Sequence, residues 1–390
     1  MKVLALPSFV YGIIEKLSEN GFFAYAVGGC VRDLLMGTVP HDWDIATSAL
    51  PEQVIRIFEK TVKTGIAYGT VTVFFGGGNA EVTTFRTEGE YADHRRPGNV
   101  SFVDNIEKDL ARRDFTVNAM AYKNAIVDPF GGIRDLERGI IRAVGESEKR
   151  FGEDALRILR AFRFMARLSF SLEEETQAAC KKLAPTLRKI SVERVLAELC
   201  EIFQNAEYEH LKSLYNSKIF DAVLPEALPF DAERAKKCAK SRSMAAKWAH
   251  LCGGEVKTAL KRLKAPKNLI NAAGELAYYE GHPPYDFKGV AAALKYNTFE
   301  DLCAFLGDLE TREKYVAATD RGEPIKISDL CVDGAYLIKS GIYGREVGEA
   351  LNRLIRHMRE NPADNNTEKV DKLLRSWNYN TRENGKEVDL

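Results

Sequence analysis

A glycine pair at the end of an apolar run constrains the fold of this chain more than any other feature. Residues 22–27, FFAYAV, predict a buried strand, and Gly28 and Gly29 follow it directly. Glycine lets the backbone turn sharply and come close to a ligand, so that its N–H groups face anionic oxygens. Arg32 follows, and a guanidinium can bind a phosphate through two hydrogen bonds. The stretch therefore predicts a strand, a turn and a helix that together bind a phosphate.

Two aspartates, Asp42 and Asp44, come shortly after this turn and are separated by Trp43. Side chains two apart on a strand share a face, so we expect the two carboxylates to lie together. Such a pair costs electrostatic free energy unless a cation lies between the two groups. Mg²⁺ suits oxygen ligands when phosphates complete its coordination shell. A phosphate site beside a two-carboxylate metal site predicts phosphoryl or nucleotidyl transfer.

A hairpin is predicted to complete the sheet. Residues 69–75 and 81–86 alternate in the manner of strands around a turn at residues 76–79. This pairing places Glu81 on a strand that runs beside the aspartates, which makes Glu81 the candidate for a third catalytic carboxylate. The sequence contains no GxxxxGK[ST] motif, so the Walker type of phosphate binding is excluded.

Residues 112–121, RRDFTVNAMA, are predicted to open a helix near the phosphates. We expect Arg113 to contact a phosphate or a sugar, with Asp114 and Asn118 organising the sugar and the adjoining loop. The preceding polar segment, residues 87–105, is too long for a simple connection and is interpreted as a functional loop.

A basic ridge follows on a helix predicted to begin near Glu153. Arg157, Arg160 and Arg163 recur three apart, with Asp154 in line at the start. A solvated helix face would usually balance such arginines with glutamates, so ligand binding is favoured. A carboxylate accepts a hydrogen bond from an exocyclic amine, and a guanidinium donates to a ring nitrogen or carbonyl. Cytosine and adenine offer an amine beside a ring acceptor, so Asp154 and Arg157 are predicted to accept C and A and to refuse U and G.

The bulk numbers describe an ordinary globular protein. A chain of 390 residues suits about two to four domains, and a net charge of zero limits any nucleic-acid surface to a local patch. No apolar run reaches membrane-spanning length. Seven cysteines without a CxxC pair favour reduced thiols and predict a cytoplasmic location.

Four segments together resemble one family in their order and spacing. They are residues 28–44 (GG, VRD and DWD), 112–121 (RRDFTVNAMA), 153–164 (EDALRILRAFRF) and 191–199 (SVERVLAEL). The chain resembles the bacterial class II tRNA nucleotidyltransferases, the CCA-adding enzymes, with their poly(A) polymerase relatives. The resemblance is strong over about residues 20–205 and weaker in the tail.

The resemblance implies an α+β fold. An N-terminal nucleotidyltransferase head with a mixed β-sheet flanked by helices would precede an all-α neck, body and tail. The expected divisions are residues 1–145 for the catalytic head, 146–205 for the base-recognising neck, 206–300 for the body and 301–390 for a tRNA-binding tail.

The resemblance also implies an activity, the addition of C, C and A to tRNA 3′ ends without a template. CTP and ATP would be the donors and pyrophosphate the product, in a two-metal reaction with Mg²⁺ as cofactor. Asp42 and Asp44 would hold the metal, and no membrane partner is expected. The expected nucleotide contacts are Gly28, Gly29, Arg32, Arg113, Asp114, Asn118, Asp154, Arg157, Arg160 and Arg163.

Three alternatives stay open at this point. An A-adding tRNA nucleotidyltransferase would keep most of these motifs, and a poly(A) polymerase would share the head. Residues 89–103 resemble the flexible loop of full CCA-adding enzymes, which favours full CCA addition. A non-catalytic RNA-binding protein on the same scaffold would have no reason to keep Asp42, Asp44 and Glu81 together. The sequence does not predict the oligomeric state, the switch from C to A, or how addition stops.

Overall fold

The computed structural model of the chain describes residues 4–88, 100–280, 282 and 286–379. It divides into two compact units, residues 1–240 with 258–265 and residues 241–257 with 266–390. Most of the predicted functional loop, residues 89–99, lies outside the described residues. The predicted domain divisions at residues 145, 205 and 300 remain predictions.

A seven-stranded sheet forms the centre of the first unit, in the order β3-β4-β5-β2-β1-β8-β9. Only the β2–β5 pairing is parallel among the neighbours in this described sheet, so the sheet is mixed. Two small two-stranded sheets, β6-β7 and β10-β11, accompany it. The strands are β1 Ala24–Val27, β2 Asp44–Thr47, β3 Thr61–Gly65, β4 Thr70–Phe75, β5 Gly78–Thr84, β6 Arg86–Glu88, β7 Val100–Phe102, β8 Ala121–Tyr122, β9 Ile126–Val127, β10 Ile140–Ile141 and β11 Ser171–Leu172.

Helices flank the sheet, and the later part of the first unit is mainly helical. Those that begin in the first unit are α1 Ser8–Glu19, α2 Gly29–Leu35, α3 Pro51–Ile57, α4 Ile106–Ala111, α5 Gly132–Arg138, α6 Ser147–Glu153, α7 Leu156–Leu168, α8 Glu174–Leu183, α9 Val192–Asn205, α10 Tyr208–Asn216, α11 Ile219–Val223 and α12 Ala232–Lys240.

Two apolar clusters hold the sheet between its flanking elements. Successive strand residues point to opposite faces, so Ala26 joins one cluster while Val27 joins the other. Ile45 and Ala46 of β2 divide in the same way. Helix α1 adds its buried stripe, including Ile13, to the first cluster. Burial on both faces fixes the register of the strands that carry the site.

The second unit is helical, and its described part contains no strand. An apolar cluster that includes Leu337, Leu354 and Leu374 joins α19, α20 and α21. The helices that begin in this unit are α13 Met244–Cys252, α14 Val256–Arg262, α15 Lys267–Glu280, α16 Phe287–Ala293, α17 Phe299–Leu306, α18 Leu309–Asp320, α19 Gly334–Lys339, α20 Arg345–Glu360 and α21 Thr367–Ser376. The expected α+β class, a mixed-sheet head followed by helices, is confirmed. In the described ranges we find no helix with the length and apolar character needed to span a bilayer.

One helix prediction is wrong. Residues 112–121 do not open a helix: α4 ends at Ala111, a single 3₁₀ turn covers Thr116–Asn118, and β8 begins at Ala121. The Asp114 carboxylate accepts the N–H of Phe115 at 2.9 Å. Such a local side-chain bond competes with helix formation, and Thr116 and Val117 are β-branched.

The helix predicted to begin near Glu153 is confirmed as α7, which begins at Leu156 after a break that separates it from α6. Helix α6 ends at Glu153, and Asp154 adopts an extended conformation with φ −135° and ψ 106°. Its carboxylate then accepts the N–H of Leu156 at 3.0 Å as α7 begins. The break therefore places Asp154 at the start of α7 rather than within a continuous helix.

Candidate active site

Asp44 begins β2 directly opposite Glu81 of the parallel neighbour β5. Asp42 lies in the exposed turn before β2, so the prediction that both aspartates belong to one strand is wrong. Trp43 between them is buried, with its ring 6.3 Å from that of Phe9 in an edge contact. Because this indole is fixed by its packing, the turn ends there and β2 begins at the next residue.

Asp44 shows the electrostatic cost of the cluster. Burial raises the pKa of its carboxyl, the Arg113 guanidinium opposes that rise, and the charges of Glu81 and Asp42 add to it. A bound cation would relieve this repulsion, because it favours the charged form of all three carboxylates. Among the described residues, no three His, Cys, Asp or Glu side chains form a metal site by themselves. A divalent ion held by Asp42 and Asp44 stays a prediction, and its other ligands would be substrate oxygens or water.

Gly28 turns the chain from β1 into α2 with φ 76° and ψ −130°, a conformation that favours glycine. A Cβ at this position would lie 2.6 Å from Nη1 of Arg113. Arg113 in turn lies 3.4 Å from Oδ2 of Asp109, a carboxylate with no exposed surface. The glycine thus lets a guanidinium approach the backbone turn where the sequence predicts a phosphate.

A chain of hydrogen bonds links α2 to α7 across the turn at residues 114–118. Nη1 of Arg32 donates to Oδ1 of Asn118 at 2.6 Å, and Nδ2 of Asn118 donates to Oδ1 of Asp114 at 3.3 Å. Oδ2 of Asp114 then accepts Nε of Arg160 at 2.7 Å. Arg32 also donates twice to Asp33. Of its five N–H groups, those left for a ligand are one on each Nη.

Burial alone would raise the pKa of Asp114, but the Arg160 guanidinium outweighs it and lowers the pKa to about 2. Arg157 and the Asn118 amide contribute in the same direction. The carboxylate is therefore charged throughout the neutral range, and it holds Arg160 and Asn118 in fixed positions.

The predicted base-reading pair lies at the start of α7. Asp154 accepts a bond from Nη2 of Arg194 at 3.2 Å, and Arg157 pairs with Glu153 at 2.6 Å. Arg157 also donates to the carbonyls of Arg150 and Arg112, at 3.0 and 3.1 Å. Each member of the pair is thus held by a different neighbour.

Helix α9 supplies site residues that the sequence analysis left without a role. Arg194 holds Asp154, and Glu198 lies 3.3 Å from Arg163, although that contact lacks hydrogen-bond geometry. Burial raises the pKa of Glu198 and lowers that of Arg163. Arg194 and Glu198 both belong to the segment SVERVLAEL and lie four residues apart. This spacing is the sequence signal that could have identified them.

Phe164 was also overlooked, although it lies in the predicted arginine helix. The guanidinium carbons of three arginines lie 4.9–5.4 Å from the centre of its ring, a cation–π arrangement. These arginines are Arg32, Arg160 and Arg163. The ring fills the space between like charges that would otherwise approach each other.

One open cavity of about 530 Å³ brings these groups together. Gly28 and Glu81 are not among its lining residues, although both neighbour residues that are. Arginines outnumber aspartates in the lining, which suits a polyanionic ligand. The predicted site residues that line it are Gly29, Arg32, Asp42, Asp44, Arg113, Asp114, Asn118, Asp154, Arg157, Arg160 and Arg163.

Two sequence families match the chain. The family described as "Poly A polymerase head domain" matches residues 24–142. The family described as "Probable RNA and SrmB- binding site of polymerase A" matches residues 169–230.

Curated relatives named CCA-adding enzyme match over different lengths. That of Lactobacillus helveticus is 37% identical over 387 residues, which cover 93% of this chain and 95% of the relative. That of Geobacillus kaustophilus is 44% identical and covers 68% of each chain. The match to Lactobacillus delbrueckii subsp. bulgaricus is 56% identical and spans about half of that relative, 48% of its length.

Solved structures agree in fold. The Bacillus stearothermophilus CCA-adding enzyme in complex with CTP aligns with a TM-score of 0.78 at 34% identity, covering 94% of this chain and 96% of that one. The Thermotoga maritima CCA-adding enzyme complexed with tRNA aligns with a TM-score of 0.71 at 24% identity, covering 97% and 100%, which supports the fold alone.

A mixed sheet with a glycine turn, paired carboxylates and an arginine-lined cavity defines the nucleotidyltransferase class. Identity of 37% over nearly the full length of both chains is more specific than a shared class. The chain belongs to the family of CCA-adding enzymes.

Proposed function

We propose that this protein adds C, C and A in turn to the 3′ end of tRNA, using CTP and ATP and releasing pyrophosphate. The observation that carries the proposal is that one cavity is lined both by Asp42 and Asp44 and by the proposed base-reading pair, Asp154 and Arg157. A nucleotide bound in this cavity would place its phosphates beside the aspartates and its base beside the pair. The relatives named CCA-adding enzyme support the same reading.

Asp42 and Asp44 hold the metal in this proposal, and we assign it as Mg²⁺ because hard oxygen ligands with phosphates suit that ion. When bound, the ion supplies positive charge that activates the 3′-hydroxyl and stabilises the leaving pyrophosphate. Glu81, opposite Asp44 in the sheet, adds a third negative charge and is proposed as a further catalytic carboxylate.

The triphosphate binds at the turn between β1 and α2 in this proposal. Gly28 and Gly29 bring the backbone close, and Arg32 and Arg113 donate to phosphate oxygens. Asp114 and Asn118 act on the sugar side and hold the arginines in place through their hydrogen bonds. Fixed donors of this kind accelerate transfer mainly through positioning and charge neutralisation.

The base is read by Asp154 and Arg157, with Arg160 and Arg163 completing the nucleotide contacts. Asp154 accepts the exocyclic amine of C or A, and Arg157 donates to the adjacent ring acceptor. Uracil and guanine place a carbonyl and a ring N–H there, which match neither the carboxylate acceptor nor the guanidinium donor. A cytoplasmic location, predicted from the seven cysteines without a CxxC pair, is part of this proposal.

A-adding activity on tRNA that already ends in CC is the second candidate. Such an enzyme would use the same carboxylates and the same base-reading pair, because adenine satisfies both. The helical segments after residue 145 retain their proposed roles in either case, as neck, body and tRNA-binding tail.

The test is extension of three tRNA transcripts that end before the first C, after one C and after both. Each receives Mg²⁺ and one nucleoside triphosphate at a time. We expect C on the first two and A on the third. Addition of A alone to the CC-ended tRNA would establish the A-adding reading, and long A tails on any RNA would establish a poly(A) polymerase.

The variant Asp42→Ala separates the chemical step from tRNA binding. Loss of one metal carboxylate is expected to abolish all nucleotide addition while tRNA binding, measured by filter retention, persists. Turnover retained in this variant would contradict the metal assignment.

A further inference from the structure

The sheet side of the cavity differs chemically from the arginine side. Two threonines, Thr70 of β4 and Thr83 of β5, line it and face each other as direct partners in the sheet. Their hydroxyl oxygens are 2.9 Å apart and share one hydrogen bond. Arg86 lines the same side, with its guanidinium donating to the carbonyl of Tyr68.

This hydroxyl pair retains unused hydrogen-bonding capacity. Each hydroxyl carries one donor hydrogen and two acceptor lone pairs, and the mutual bond uses one of each. Among the described residues, neither hydroxyl makes another hydrogen bond. One hydrogen and the remaining lone pairs are therefore available to a ligand, and both side chains are half-buried and accessible from the cavity.

The register fixes where this pair lies relative to the catalytic carboxylate. Thr83 is the partner of Ala46 in β2, two residues along the strand from Asp44, so Thr83 and Asp44 share a face. Strands about 4.8 Å apart with a rise of about 3.3 Å per residue put their Cα atoms about 8 Å apart. A sugar whose 3′-hydroxyl reacts beside Asp44 lies within that span.

The two substrates divide between the two sides on charge. A nucleoside triphosphate carries several negative charges and belongs with the arginines of α2 and α7. The other substrate brings an uncharged ribose to the carboxylates, and the threonine hydroxyls can bind it through neutral hydrogen bonds.

We infer that the Thr70–Thr83 hydroxyl pair binds the ribose of the 3′-terminal nucleotide of the RNA and contacts its 2′-hydroxyl. This inference rests on the proposed function, since it names how that same site selects its acceptor. The 2′-hydroxyl distinguishes RNA from DNA, so the pair makes the protein selective for a ribonucleotide end.

The experiment compares a tRNA that ends before the first C with the same tRNA whose last nucleotide lacks the 2′-hydroxyl. The 3′-hydroxyl that reacts is present in both. We expect the wild type to use the deoxy-ended tRNA about five- to tenfold less efficiently in kcat/KM, the loss typical of a hydrogen bond. Equal use of the two ends by the wild type would overturn the inference without any variant.

Thr70→Val with Thr83→Val removes both hydroxyls and keeps the β-branched shape. We expect this double variant to use the two ends within about twofold of each other, with an unchanged KM for CTP. Thr70→Ser with Thr83→Ser retains the hydroxyls and should retain the preference. If the valine double variant still prefers the ribose-ended tRNA, the inference is overturned.

A second threonine pair offers a matched control on the same sheet. The hydroxyls of Thr64 and Thr72 are 3.0 Å apart, and neither residue lines the cavity. Thr64→Val with Thr72→Val should keep the full preference. Absence of C addition by the wild type on the ordinary tRNA would instead contradict the proposed function, so the two failures are distinguishable.

Discussion

Asp114 links several parts of the candidate site through its hydrogen bonds. It lies 8% exposed and accepts bonds from the Phe115 N–H, the Asn118 amide and the Arg160 guanidinium. These partners come from a local turn and from a helix far along the sequence. A buried carboxylate of this kind is stable only while its partners remain in place.

Acidification tests Asp114 directly. Because the folded-state pKa is lowered from 3.8 to about 2, its contribution is complete above the unfolded value and is lost as pH falls through about 2. The shift corresponds to about 2 kcal/mol of unfolding free energy. We expect the stability gap between wild type and Asp114→Asn, measured by urea unfolding, to stay constant above about pH 5 and to narrow as the pH falls from about 4 to about 2. A constant gap over this range would contradict the assignment.

The role of Arg157 in base selection can be tested by substitution. Arg157→Ala should reduce the preference for CTP over UTP roughly tenfold, by removing a charged donor to the base, while slowing C addition less. The measurement is kcat/KM for each nucleotide on tRNA ending before the first C.

Glu153→Gln is the matched control for that experiment. It weakens the 2.6 Å ion pair of Arg157 but keeps the guanidinium and its bonds to two backbone carbonyls. We expect its base preference to remain near that of the wild type. Unchanged preference in Arg157→Ala would show that the guanidinium does not read the base.

At the scale of elements, α7 and α9 work as a pair. Helix α7 faces the cavity with its arginines, and α9 packs against it and supplies carboxylate and guanidinium partners from behind. Asp154 is fixed from two sides, by the Leu156 N–H and by Arg194. The position of Asp154, the proposed base-reading carboxylate, therefore depends on a helix that begins well after it in the sequence.

Arg194→Met tests this support. Loss of the 3.2 Å contact frees the Asp154 side chain, so we expect the preference for CTP over UTP to fall about threefold to tenfold. Thermal unfolding should show that the fold is retained. Glu193→Gln on the same helix, where Glu193 pairs with Lys264 at the surface, should leave base preference unchanged. Equal selectivity in Arg194→Met and wild type would mean that α9 does not position Asp154.

At the scale of the whole molecule, the charge balance is neutral, with 56 basic and 56 acidic residues. The arginine excess of the cavity must therefore be offset elsewhere on the surface. Binding of an RNA partner must depend on local patches rather than on a general attraction, and RNA shape and backbone should dominate recognition.

Salt dependence tests that view of tRNA binding. Phosphate contacts release counterions, so we expect the Kd for tRNA to rise steeply between about 50 and about 200 mM KCl at fixed Mg²⁺. A filter-binding titration at several salt concentrations gives the slope of log Kd against log salt. Affinity that stays the same across this range would contradict a phosphate-dominated interface.

The sequence by itself determined the features whose chemistry is local. Gly28 follows its strand directly, Asp42 and Asp44 are near neighbours, and the arginines of α7 recur at helical spacing, so patterns within short windows predicted them. The mixed sheet followed by helices was implied by the family resemblance that these segments carry. Local rules failed at Asp42, which lies in a turn, and at residues 112–121, where the Asp114 side chain competes with helix formation.

Only the tertiary structure decided which partners hold the site. Arg160 meets Asp114 across 46 positions, Arg32 meets Asn118 across 86, and Arg194 meets Asp154 across 40. No short window contains both members of such a pair, because chain folding rather than spacing brings them together. The roles of Glu198, Phe164 and the Thr70–Thr83 pair emerge for the same reason, since each is defined by what packs against it.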